Sequence, residues 1–138
     1  MASLRSTSRL QRAWHHLSMQ IEVWPGYITR QRGLLQGAPV QASDALAVLL
    51  HFESTIALMG QWAAIPGMVA YIRNQASDQI FDPIADLQAI RNAMISGRDQ
   101  LSVLIPDRTP AVVQSQTFTA AQMAPIVAVL DGVITILA

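Results

Sequence analysis

The apolar positions along the chain recur with the period of a helix. Leu10, Trp14, Leu17, Ile21, Trp24 and Ile28 follow at steps of 4, 3, 4, 3 and 4 residues. That spacing puts them on one side of a helix and excludes the alternation of a strand. It predicts a helix from Ser3 to about Gln36. Pro25-Gly26 falls inside it. An interior proline removes one ladder hydrogen bond and clashes with the carbonyl four residues back, so a kink or break is expected there. Gly37-Ala38-Pro39 then reads as a turn, Ser43 as the next N-cap, and Asp44 as the acid of a first turn.

A second seam runs through Ala45, Leu49, Phe52, Ile56, Met59 and Ala63, widened by Leu46, Leu50 and Leu58. A helix this apolar is expected to be buried on more than one side. It should stop before Pro66, because a residue preceding proline is pushed out of the α region. Pro66 suits the first position of a short helix reaching Gln75. Phe81-Asp82-Pro83 is a further start signal, with Asp82 as N-cap and Pro83 as the first helical residue. Leu87, Ile90, Met94, Leu101 and Leu104 follow, and Gly97 occupies the position where the seam calls for an apolar side chain. Ile105-Pro106-Asp107 should end that helix. Residues 107–117 read as irregular, with Val112-Val113 extended. Thr119 and Gln122 make a capping box, stapled by Phe118 and Met123. Met123, Ile126, Val127, Leu130, Val133, Ile134 and Leu137 line the last helix, with Pro125 bending its first turn.

No pair of strands joined by a hairpin turn is visible. The expected fold is therefore all-α: a helical bundle of four main helices plus one short helix, with a long kinked N-terminal helix. Residues 1–138 form one domain. A straight helix from Ser3 to Gln36 would be about 50 Å long, whereas helices of ~20 residues cover about 30 Å. One end should project, and residues 1–13 are the expected arm.

Composition turns attention to assembly. Of the 138 residues, 51% are hydrophobic and only 13% charged, against about 25% charged in an ordinary soluble domain. Thirteen Gln with Ser and Thr could supply a polar surface. A surface covered by other protein is the sharper reading. Net charge is zero, which disfavours a globally basic nucleic-acid binder. There is no cysteine, so disulfides, thiolate zinc sites and cysteine nucleophiles are excluded. All nine basic residues are arginine, which removes Schiff-base chemistry and a P-loop lysine. The charges are nonetheless segregated. Residues 1–36 carry Arg5, Arg9, Arg12, Arg30 and Arg32 against Glu22, a balance of +4, and the remainder balances at −4. Arg5, Arg9 and Arg12 share one helical face by their spacing. Arginine suits two-pronged contacts with carboxylates or phosphates. Interfaces are enriched in Trp and Arg, so the expected partner-binding residues are Arg5, Arg9, Arg12, Trp14, Arg30 and Arg32. A solvated face and a core tryptophan are the plainer alternatives.

Catalytic chemistry finds little to stand on. His15 and His16 point about 100° apart on a helix and do not readily share a metal ion. His51 and Glu53 are two apart and do not face each other. There is no H-E-x-x-H, and Glu occurs only twice. Asp78, Asp82 and Asp86 recur every four residues, which reads as a cap with solvated neighbours. G-x-S-x-G and phosphate-binding glycine loops are absent. No catalytic residue, metal or cofactor is expected, and the chain reads as a non-enzyme. Residues 1–20 have the Arg- and Ser-rich, acid-free composition of a transit peptide, but the helical seam begins inside them and continues beyond. The apolar stretch over residues 124–138 contains Pro125 and Asp131 and falls short of the ~20 residues of a membrane span, so a core helix is expected and no membrane partner.

The segments QWAAIPGMVAYIR (residues 61–73) and FDPIADL (residues 81–87) resemble small helical proteins from the structural modules of tailed bacteriophages; the likeness extends over about residues 50–137. It implies an all-α head-to-tail connector adaptor of the virion, assembled in the host cytoplasm. Such adaptors are homo-oligomeric rings below the portal, bound to portal or tail components and close to DNA without reading it. A cytosolic helical partner-binding protein, such as a small chaperone or regulator, is the alternative.

Overall fold

The structure, a computed structural model, describes residues 2–37, 39–75 and 83–138, with side chains from residue 9 onward in the first of these. The described residues are mostly helical: α1 (Ala2–Leu34), α2 (Ala42–Ala64), α3 (Met68–Gln75), α4 (Pro83–Leu104), α5 (Pro110–Gln114) and α6 (Ala120–Leu137). A two-residue antiparallel pair joins β1 (Val40–Gln41) to β2 (Thr117–Phe118).

Of the kink or break expected at Pro25, the break does not occur: α1 runs through it unbroken. Proline removes one hydrogen bond, but Leu17, Trp24 and Ile28 anchor the helix in the core on both sides. Thr29 Oγ1 donates to the Pro25 carbonyl at 2.6 Å. Ser43 is not the N-cap of α2. The helix starts two residues earlier than that, after Gln41, and its first amide, Ala42 N–H, donates to the Gln116 carbonyl at 3.1 Å. The strand pair thus does the work assigned to a capping side chain. It escaped notice because two residues carry no readable alternation and the partners lie far apart in sequence. Val40 pairs with Phe118 and both are buried.

α2 ends where Pro66 requires, with Ile65 extended at φ −70 and ψ 121. Pro66 does not open α3. Gly67 takes φ +80, a left-handed conformation natural to glycine, and the helix begins at Met68. Pro83 opens α4 as expected; Asp82, Phe81, Asp78 and Ala38 lie outside the described residues. Val112 and Val113 are helical rather than extended, because Pro110 presets φ for a helical first turn after Thr109. The Thr119–Gln122 capping box is present in both directions: Gln122 N–H donates to Thr119 Oγ1 at 3.2 Å, and Thr119 N–H donates to Gln122 Oε1 at 2.9 Å.

Contacts between the long helices fix their directions. Tyr27 stacks near His51 and His16 near Trp62, so α1 and α2 run antiparallel. Phe52 lies against Gly97, and Gly60 lies near Arg91, which makes α2 and α4 antiparallel. Gly97 also meets Val129, while Leu87 shares a pocket with Leu137. α4 and α6 are therefore antiparallel as well. Arg32 bonds Asp131, and Ile21 lines the pocket beside Leu137, so α6 returns antiparallel to α1. The core lies between these four elements, with Leu49, Phe52, Met94, Leu101, Met123 and Leu130 fully buried.

α1 spans about 50 Å and α6 about 27 Å at 1.5 Å per residue. The surplus is not simply a projecting arm. Leu10, Ala13 and Trp14 pack on the body, and Leu10 faces the α2–α3 turn at Gly67. An arm could therefore extend no further than residue 9, not to residue 13 as expected.

Candidate interaction surface

α1 shows two faces. Its inner face carries Leu10, Leu17, Trp24, Ile28 and Leu35. Its outer face carries Arg9, Arg12, His16, Met19, Val23, Tyr27, Arg30 and Leu34, all within an arc of about 80° at 100° per residue. Every one of these eight is exposed. The apolar members are substantially bare: Met19 53%, Val23 58%, Tyr27 43% and Leu34 42%. Single exposed apolar residues are normal, but an aligned row is the mark of an interaction site.

Three of the six residues picked out by sequence, Arg9, Arg12 and Arg30, lie on this ridge. They form no ion pair among the described residues. Arg5 is in the part of α1 whose side chains are outside the described residues. Arg32 is turned inward to Asp131 of α6 and fastens α1 to the body. Trp14 is half-buried against the core, roughly opposite Arg12 around the helix, and so stands apart from the arginines. The apolar part of the ridge was missed from sequence. Its signal was available: Met19, Val23 and Tyr27 are four apart and in phase with Arg12 and Arg30.

Beside the ridge lies a shallow groove between α1 and α2, walled by Gln20, Trp24, Tyr27, His51, Leu58 and Gln61. His51 is its one titratable side chain with a large shift. Burial takes solvent from the charged imidazolium and lowers the pKa from 6.5 to about 4. His51 Nε2 is 3.2 Å from Thr55 Oγ1, and the Tyr27 ring centroid stands 4.4 Å away. His51 Nδ1 is buried with no hydrogen-bond partner, so no carboxylate orients the ring as in a hydrolase triad. The neutral imidazole is therefore packing material for the α1–α2 seam. Because the unfolded state takes this proton first, stability is complete above about pH 6.5 and falls as pH drops towards 4. After allowance for partial exposure, the loss should be about 1–2 kcal/mol. Urea unfolding of His51→Gln between pH 7.5 and 4.5 should show a correspondingly flatter profile; an identical slope would remove His51 as the cause.

α6, packed beside α1, presents a second open face. Ala121, Ala124, Pro125, Ala128, Gly132 and Thr135 face solvent along its length. By length and composition α2 and α6 are both apolar enough to cross a membrane, yet α2 has 44% of its apolar window buried and α6 only 22%. α6 thus leaves a face of small residues open, while the large exposed apolar side chains of the described residues lie on other helices, four of them on α1.

The interior holds an apolar cavity of about 100 Å³ lined by Leu17, Met59, Trp62, Met68, Ile72 and Leu87, with Arg91 at its edge. No group of three His, Cys, Asp or Glu suited to a metal occurs among the described residues. Glu53 is held below the usual carboxylate range by the Arg108 guanidinium, which donates to both its oxygens at 2.8 and 2.9 Å. That pair ties α2 to the segment after α4 at the surface. No protein-family model, curated protein or solved structure shows significant similarity to this chain.

Proposed function

We propose that the chain is a non-enzymatic structural subunit of a tailed-phage particle, a head-to-tail connector adaptor that assembles in a ring below the portal. In this reading α1, α2, α4 and α6 form an antiparallel four-helix bundle, with α3 and α5 as short links. The protein acts in the virion and is assembled in the host cytoplasm. The carrying observation is the ridge on α1, where four large exposed apolar residues run in line with three arginines that form no ion pair among the described residues. The open small-residue face of α6 supports the same reading. A regulator that binds one partner needs one such face, whereas a subunit built into an assembly needs at least two. Low charge over the whole chain agrees, because surface that is covered in the particle needs little solvation.

Native mass measurement and sedimentation of the purified chain, alone and mixed with the portal protein of the same particle, provide the test. A closed multimer, or a multimer formed on the portal, is expected. A stable monomer at micromolar concentration that ignores the portal and binds no exposed-hydrophobe dye would overturn the proposal.

A further inference from the structure

The geometry points to the contact by which neighbouring copies join: the α1 ridge of one copy lies on the outer face of α6 of a second copy. This rests on the ring reading above and names the surfaces that would build it. The two faces belong to different helices. A contact between them is head-to-tail, and repetition closes a ring or extends a filament.

Shape agrees first. The ridge bears long side chains, Met19, Val23, Tyr27 and Leu34, whereas the α6 face bears Ala121, Ala124, Ala128 and Gly132. Nothing lies within 4 Å of the place where a side chain on Gly132 would begin, so that face is open to an incoming knob.

Register agrees as well. Side-by-side copies in a ring keep one orientation, so residues meet at the level they already occupy. Ile21 is level with Leu137 at the foot of α6. Since α1 and α6 are antiparallel and Arg32 bonds Asp131, the stretch from Val23 to Leu34 runs beside the C-terminal part of α6, with Val23 towards its end near Thr135. The apolar ridge and the small-residue face therefore overlap without sliding. Arg9 and Arg12 run on past the end of α6 to the α2–α3 turn, where Leu10 faces Gly67. Asp86 lies nearer the level of Ile21, beside Ile136 and Leu137, and forms no ion pair among the described residues.

Charge agrees in sign. The first 36 residues carry +4 and the rest of the chain −4, so a head-to-tail contact sets α1 against a body of opposite charge. A contact of α1 with α1 would instead set Arg9, Arg12 and Arg30 against their own copies.

The chain contains no cysteine, which permits a direct test by disulfide trapping. Val23 and Thr135 are both exposed, so V23C and T135C leave the core intact. Under mild oxidation the double variant should give a ladder of several rungs on a non-reducing gel. The two single variants mixed should stop at dimers, and each single variant alone should give none. Disulfide dimers of V23C alone would overturn the inference by showing α1 against α1. So would the lack of a ladder in the double variant. Flotation of otherwise monomeric chain with phosphatidylcholine vesicles would overturn it too, since the uncovered face would then belong to lipid. A ladder without portal binding keeps this contact and removes the connector role. Portal binding without a ladder does the reverse.

Discussion

Replacing Phe52 with alanine should remove about 3–5 kcal/mol of stability, the range for emptying a buried aromatic site. Phe52 is fully buried between α2 and α4, and its ring occupies the space left by Gly97. A Cβ at position 97 would stand 2.7 Å from Phe52 Cε2, 3.1 Å from Cζ and 3.2 Å from Val129 Cγ1. Gly97→Ala alone should therefore destabilise by about 1–3 kcal/mol through overpacking. That is despite a gain of nearly 1 kcal/mol in helix propensity. In the Phe52→Ala background the clash with the ring is gone. The same Gly97→Ala change should then be close to neutral or stabilising, and the two substitutions should be strongly non-additive. Urea unfolding of the four proteins, followed by helical circular dichroism, measures the cycle. Additive effects would mean that Gly97 serves something other than seating Phe52. Leu49→Ala and Leu130→Ala, at sites equally closed to solvent, should each cost about 2–5 kcal/mol without that coupling.

The Gly97 position shows how far the sequence could be read. Periodicity arises within a helix, so the seams of α1, α2, α4 and α6 were visible, and the glycine stood out as a gap in one of them. What fills the gap is a ring from another helix, which no local pattern records. The same boundary separates the other readings. Proline and capping rules placed the end of α2, the start of α4 and the Thr119 cap, because those depend on neighbouring residues. Ser43 failed as a cap because the first amide of α2 is satisfied by Gln116, more than seventy residues away. Pro25 failed as a break because burial of Leu17, Trp24 and Ile28 holds the helix on both sides. At the candidate surface, spacing aligned Arg9 and Arg12 but could not tell which apolar residues would remain bare. Trp14 looked like their companion in sequence and is around the helix from them in space. Arg32 looked free and is paired with Asp131 across the fold.

Val23→Glu should abolish self-assembly while leaving the single chain folded. Val23 is 58% exposed in the isolated chain, so a carboxylate there stays hydrated and should change stability by no more than about 0.5 kcal/mol. Buried in an interface without a partner, the same carboxylate costs several kcal/mol. A penalty of that size weakens assembly more than about 100-fold. Arg9→Ala should do much less, because an exposed ion pair contributes about 0–1 kcal/mol; its loss should appear mainly as slower association and a weaker dependence on salt. Trp14→Ala separates the ridge from the body. Its side chain packs partly on the core, so it should lower the unfolding midpoint and weaken assembly only as far as the fold is weakened. The three variants thus divide by which measurement moves. Sedimentation at fixed concentration reads assembly, and denaturant midpoints read the fold. Normal multimers of Val23→Glu would remove the ridge from the interface. Loss of assembly by Trp14→Ala at an unchanged unfolding midpoint would return the anchor to the inner side of α1, where the sequence first placed it.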